Sequence, residues 1–251
     1  MLGDVDDIRI SMVARAGAAF AAEIDRHPPD AAIPWPLWPD VATLVDHLGR
    51  NHLWAAGIVR SGGPVDRKTL PRVSADDPRA WYEGCRAELI AALDETPFER
   101  PCWVVGGRDG GTAAFWARRM VYETTKHLID LRAAGGGEWA VAPELAPVDY
   151  ADGIDELFAE FLPRSRPTLE PLPGTLVLAA SDLDRSWVIS PDWAVSGEPQ
   201  ADAAARVRAT AGELALFVWE RAAPWEAPAR FAIDGPDPGV VRAFGAAPVH
   251  P

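Results

Sequence analysis

Glu123 and His127 are the pair in this sequence best placed to do chemistry. They stand four apart in a stretch, roughly Thr112 to Ala133, whose stripe is Trp116, Met120, Glu123, His127 and Leu131. Four residues overshoot one helical turn by only about 40°, so the carboxylate and the imidazole share a face. That face is the apolar, buried one. An unpaired polar group in such a seam costs roughly 2–7 kcal/mol, so something must compensate. Two compensations are open at this point. One is a Glu–His hydrogen bond inside the core. The other is a metal ion, because Glu-x-x-x-His presents oxygen and nitrogen donors together. His47, beside Leu44, Val45 and Leu48, is available as a third ligand. Its alternative is an ordinary core or surface histidine. His52 stands roughly 140° further round the same helix and is read as structural. His27, beside a proline loop, and His250, in the tail, have no companion ligand nearby.

The elements that must position these residues follow from apolar spacing. Val5, Ile8, Met12, Ala16, Phe20 and Ile24 mark one face of a helix over Val5 to Arg26. A proline-rich loop, Pro28 to Pro39, separates it from a second helix. Asp40 is placed to cap that helix, and Val41, Leu44, Val45, Leu48, Ala55 and Ile58 give it a buried stripe. Ser61-Gly62-Gly63-Pro64 is its stop signal. A third helix is expected from Pro78 to about Leu93, with Trp81, Cys85, Leu89 and Ala92 inward. The helix bearing Glu123 is the fourth, and a short fifth runs from Tyr150 to Leu162. Pro163 to Gly174, with four prolines, reads as the linker between domains 1–163 and 174–251. Beyond it the period becomes strand-like at Thr175–Ala180, Trp187–Ser190, Ala203–Ala209 and Arg230–Asp234. Thr210-Ala211-Gly212-Glu213 has the spacing of a capping box and opens a helix through Leu214, Phe217, Val218 and Trp219.

Composition narrows the partners. With 48% hydrophobic and 24% charged residues the chain can bury a real core. Lys+Arg 24 against Asp+Glu 37 leaves a net charge of −13, which repels a phosphate backbone and argues against nucleic-acid binding. No apolar run is long enough to span a bilayer, and the N-terminus has no secretory pattern, so a cytoplasmic protein is expected. Cys85 and Cys102 make no framework and no CxxC motif, and both are expected to be reduced.

Four segments, in order along the chain, resemble one family. Trp38-Pro39-Asp40-Val41-Ala42-Thr43-Leu44-Val45-Asp46-His47-Leu48-Gly49-Arg50-Asn51-His52-Leu53-Trp54-Ala55 is similar to the first signature of the mycothiol-dependent maleylpyruvate isomerase family, a branch of the DinB-like metalloenzymes. Phe115 to Asp130, with Arg118-Arg119-Met120-Val121-Tyr122-Glu123-Thr124-Thr125-Lys126-His127, is similar to the second. Ala151-Asp152-Gly153-Ile154-Asp155-Glu156-Leu157 and Glu213 to Arg221 resemble two further motifs. The resemblance implies an α+β protein: an N-terminal DinB-like helical bundle and a smaller C-terminal α+β domain resembling sterol carrier proteins. It also implies a divalent metal, typically zinc, held by His47, Glu123 and His127. Three ligands leave a fourth position open, the pattern of a catalytic zinc site. Mycothiol is the implied thiol cosubstrate, and coordination would favour its thiolate at neutral pH. The implied chemistry is thiolate addition to an electrophile's conjugated double bond. Rotation and elimination then give isomerisation; stopping after addition gives thiol transfer.

An anionic acceptor calls for arginine. Arg221 matches the arginine of the C-terminal motif and is the catalytic candidate; its alternative is a helix-end residue satisfying the last carbonyls. Arg118 and Arg119, before the Glu123 turn, are weaker candidates, with a solvated side chain as the alternative for each. The sequence also departs from the family pattern. Leu128 and Ile129 replace an Arg-Trp pair beside His127, Tyr122 replaces a histidine and Leu37 a glycine. None removes a proposed ligand, but loss of an arginine there makes the pocket less suited to a dicarboxylate. Two other classes compete with the enzyme: a metal- or small-molecule-binding module of the same fold without turnover, and a structural protein with no metal.

Overall fold

The computed structural model describes residues 3–73, 76–107, 110–198 and 202–249. The chain divides into two compact units, 1–144 and 145–251.

The first unit is built on α1 (Gly3–Ile24), α2 (Val41–Ser61), α3 (Pro78–Asp94) and α4 (Ala113–Arg132). Each boundary has a local cause. Asp40 Oδ1 accepts from the Thr43 amide at 2.8 Å and opens α2, as the sequence indicates. Gly62, at φ 77°, adopts the left-handed conformation that ends it. Asp77 accepts from the Ala80 amide at 2.8 Å, with Pro78 in the first turn of α3. The helices close a four-helix bundle in which α2 packs on α3 and α4, and α1 packs on α3 and α4. The expected α2 stripe of Val41, Leu44, Val45, Leu48, Ala55 and Ile58 is buried throughout.

Other expectations in this unit shift. Ile8 is not on the inner face of α1 but exposed; Met12, Val13, Ala16, Phe20, Ala21 and Ile24 carry the packing. The Val5 side chain and His250 lie outside the described residues. On α3 the half-buried Trp81 yields the deep position to Tyr82. The proline-rich loop contains a ribbon of β1 (Ala32–Trp35) and β2 (Trp38–Asp40), paired antiparallel. A two-stranded ribbon has only edges, so Pro34 and Pro39 are tolerated there.

The second unit begins earlier than the expected linker. Helix α5 (Pro147–Glu156) packs on α7 (Ala211–Val218), which draws it into this unit. A π-helical turn, Leu157–Phe161, and a short α6 (Leu162–Ser165) follow, so the Pro163–Gly174 segment is partly helical. The sheet has the order β5-β4-β3-β6-β7, from β3 (Leu176–Ala180), β4 (Ser186–Ile189), β5 (Val195–Ser196), β6 (Ala205–Ala209) and β7 (Ala232–Asp234). The expected β3–β4 pairing is antiparallel, with Leu178 opposite Trp187, whereas β3 and β6 run parallel. The crossover between parallel strands uses the intervening hairpin and loop rather than a long helix. Thr210 caps α7, accepting from the Glu213 amide at 3.2 Å. The Glu213 carboxylate pairs with Arg230 at 2.7 Å. Helix α8 (Gly239–Gly245) completes the unit, its Phe244 meeting Phe217, Phe158 and Trp193. The observed architecture is α+β, a helical unit followed by a sheet unit.

Candidate metal centre

Helices α2 and α4 pack together, and that contact brings His47, Glu123 and His127 to one place. Their donor atoms all lie within 4.8 Å of one another. Glu123 Oε1 is 3.2 Å from His47 Nε2 and 3.1 Å from His127 Nε2. Ligands at 2.0–2.2 Å around a tetrahedral ion are themselves about 3.3–3.6 Å apart, so the spacing suits one ion. The donor set, two imidazoles and one carboxylate, is also a zinc set.

The surroundings orient each donor. His127 Nδ1 meets Asp130 Oδ2 at 2.9 Å, and both side chains are almost wholly buried. With its Nδ1–H donated to the carboxylate, the ring presents the Nε2 lone pair toward Glu123 and His47. Glu123 divides its two oxygens. Oε2 faces the buried cations Arg119 and Lys126, the latter at 3.4 Å. Oε1 faces the histidines and accepts from Asn51 Nδ2 at 2.8 Å. Asn51 Nδ2 is also 2.9 Å from His47 Nε2. Trp38 covers the imidazoles, its ring 3.8 Å from the centre of His47 and edge-on to His127 at 5.6 Å. The Trp38 indole nitrogen is buried and has no hydrogen-bond partner.

Electrostatics favour donors ready to ligate. Burial pushes His47 down to about 4, so it is neutral at pH 7. Burial acts to raise the Glu123 carboxyl, but Lys126, Arg119 and His127 together outweigh it and hold the group well below the usual carboxylate range. Arg119 is therefore not a solvated residue: it is buried and ion-paired to Glu123. His52 stays apart, as expected, with Nε2 2.9 Å from Thr124 Oγ1. His27 lies 3.4 Å from Glu23 Oε1, away from the cluster residues in sequence and partner. Tyr122 is buried on α4.

Asn51 and Asp130 were missed by the sequence reading, although a signal for each exists. Asn51 is four residues after His47 and Asp130 three after His127, so each shares a helix face with a donor. Arg221 lies in the second unit. Glu220, at φ 64°, ends α7, and the Arg221 amide bonds back to Leu216 at 2.7 Å. The buried Arg221 guanidinium donates to the Trp219 carbonyl at 2.6 Å, the helix-end contact foreseen as its alternative.

A helical bundle with a His–Glu–His cluster, followed by an α+β sheet unit, defines the class. Residues 11–132 match the family model described as the mycothiol maleylpyruvate isomerase N-terminal domain. Two solved structures share the fold. The crystal structure of a histidine-to-alanine mutant of the mycothiol-dependent maleylpyruvate isomerase is 13% identical, at a TM-score of 0.68 over 98% of this chain and 96% of that one. A second crystal structure of the mycothiol-dependent maleylpyruvate isomerase is 14% identical, at 0.63 over 86% and 90%. No curated protein matches the sequence.

Proposed function

We propose that this chain is a metal- and mycothiol-dependent enzyme that activates a thiol for addition to an electrophile, as an isomerase or as a thiol transferase. The observation that carries the reading is the convergence of His47 Nε2, Glu123 Oε1 and His127 Nε2 within 4.8 Å, with His127 fixed by Asp130. These three residues would hold the ion, zinc being the first choice for two imidazoles and a carboxylate. When bound, a divalent ion would supply a Lewis acid that favours a thiolate at neutral pH.

The chain's own residues do the rest. Asp130 keeps the His127 Nε2 lone pair toward the site. Asn51 holds Glu123 Oε1, while Arg119 and Lys126 hold Oε2 and keep the carboxylate ionised. The Trp38 ring packs against both imidazoles and covers them. In the isomerase variant of the reading, the thiolate adds to one carbon of a conjugated double bond, the new single bond rotates, and the same thiolate leaves. Arg221 is proposed to hold an anionic acceptor on the strength of the motif it matches. A reducing, cytoplasmic setting is proposed from the two free cysteines, and no described helix is long and apolar enough to cross a membrane.

The test combines metal analysis of protein purified without a histidine tag with assays of mycothiol, maleylpyruvate and a panel of other electrophiles. One zinc per chain and thiol-dependent turnover that chelation abolishes are expected. A protein that binds zinc but consumes no thiol and turns over no electrophile would be the binding module instead.

A further inference from the structure

The turn after α2 places Arg67, which lies outside every motif in the sequence, beside the candidate metal centre. Residues 64–69 are pinned onto α2 from two sides. Trp54 Nε1 donates to the Val65 carbonyl at 2.9 Å, and Arg50 donates to the Arg67 carbonyl at 2.6 Å. Asp66 caps the short 3-10 turn Arg67–Thr69 by accepting from the Lys68 amide at 2.9 Å. The turn therefore holds Arg67 in a defined position. Its guanidinium carbon sits 4.7 Å from the centre of the Trp54 ring, and one of its nitrogens donates to Asn51 Oδ1.

That same Asn51 bonds Glu123 Oε1 at 2.8 Å and lies 2.9 Å from His47 Nε2 through its other end. One amide thus separates the guanidinium from two of the three metal-ligand candidates. The Arg67 nitrogen is within about 8 Å of Glu123 Oε1, the sum of an amide's width and two hydrogen bonds.

The charge on Arg67 is not neutralised by a bonded carboxylate. Arg50 and Arg72, nearby, each pair with Asp46, at 3.7 Å and 3.0 Å. Arg119 and Lys126 pair with Glu123. Among the described residues Arg67 has no such partner; its contacts are one amide oxygen and one aromatic face. A guanidinium has five donors in a planar fork that matches a carboxylate. Arg67 spends few of them and is exposed to solvent. Stacking on Trp54 and the bond to Asn51 fix its plane, which lowers the entropy lost when an anion is captured.

We propose that Arg67 binds a carboxylate of the acceptor, holding its unsaturated carbons beside the His47–Glu123–His127 site. The proposal rests on the reading of that site as a thiol-activating centre, and what it adds is the residue that would hold the acceptor's carboxylate.

The test is calorimetric titration of the full chain with maleate, in the absence of thiol, for wild type, Arg67→Gln and Arg67→Lys. Neutral maleamide is the control ligand, and zinc is quantified in each preparation. Arg67→Gln is expected to weaken maleate binding at least tenfold, with Arg67→Lys between it and wild type because a point charge replaces the fork. Maleamide binding and zinc content are expected to be the same in all three. Maleate binding that is absent from wild type, or unchanged in Arg67→Gln, overturns the proposal. Equal loss of maleate and maleamide also overturns it, because that marks a distorted site rather than a lost charge contact. Zinc analysis keeps the two readings separable. Zinc-loaded protein indifferent to position 67 refutes this inference alone, and zinc-free protein refutes the metal site while the titration still reads Arg67.

Discussion

His127 and Asp130 share a hydrogen bond of 2.9 Å, Nδ1 to Oδ2, on one face of α4, and the Asp130 side chain is fully shut from solvent. A buried carboxylate three residues along the helix from an imidazole is placed to orient that ring. It fixes the tautomer and raises the basicity of Nε2, the atom turned toward Glu123 and His47. Asp130→Ala is therefore expected to keep the bundle folded and to weaken zinc binding about 10- to 100-fold. Competition with a chelator of known affinity measures this, with circular dichroism as the control for folding. Unchanged zinc affinity would make Asp130 a core residue only.

His52 gives the fold a pH dependence of known sign. Burial pushes it down to about 3, whereas an unfolded histidine titrates near its ordinary value of 6.5. Between these values the unfolded chain takes up a proton that the native state refuses. Its contribution to stability is complete above about pH 6.5 and falls by about 1.4 kcal/mol per pH unit as pH drops toward 3. His47, held near 4, acts in the same direction over a narrower window. Urea midpoints measured from pH 7 to pH 4 should show a shallower slope for His52→Gln than for wild type. Coincident slopes would mean that His52 is charged, or exposed, in the native state.

The parts of the site legible in the sequence are those written on single helices. The α2 and α4 stripes, the Asp40 cap and the three donors follow from period 3.6 and from the cost of burying Glu123 and His127. What escaped depends on contacts between elements. The β1–β2 ribbon hides in a proline-rich segment because its pairing involves only edges. The parallel β3–β6 pairing and the early start of the second unit depend on α5 meeting α7, which no local pattern encodes. Arg119 reads as solvated because spacing alone does not show that its side chain turns inward to pair with the buried Glu123 carboxylate. Arg67 sits in a turn whose address is set by Trp54 and Arg50, so its nearness to Asn51 could not be read from spacing.

Cys85 is expected to be inert. Its thiol is buried on α3, and burial pushes it up to about 12, so almost no thiolate exists at pH 7. A buried cysteine packs as a small hydrophobe. Cys85→Ala should retain zinc and thiol-dependent turnover while losing about 1 kcal/mol of stability. In the wild type, labelling of Cys85 by a disulfide reagent should proceed only as fast as the bundle opens. Rapid labelling of native protein, or loss of turnover in a folded, zinc-bound Cys85→Ala variant, would contradict this.

Arg221 offers the sharpest choice between a structural and a functional arginine. Its guanidinium donates to the Trp219 carbonyl at 2.6 Å, immediately after the left-handed Glu220 that ends α7. A helix-end role alone is worth typically 0.3–1 kcal/mol, through the dipole and the last carbonyls. An acceptor-binding role is worth roughly 2–5 kcal/mol if the pair it forms is desolvated. The two magnitudes separate cleanly in different measurements. Because the proposed metal ligands lie on α2 and α4, Arg221→Ala is expected to leave metal content unchanged. Its melting temperature should move by only a few degrees, while thiol-dependent turnover falls by at least an order of magnitude, chiefly through KM for the acceptor. Arg221→Lys should recover the helix-end contact but only part of the acceptor binding, since a lysine has no fork. Turnover that survives in Arg221→Ala, beside a lowered melting temperature, would leave Arg221 as the cap of α7 and make Arg67 the acceptor's only proposed cationic contact.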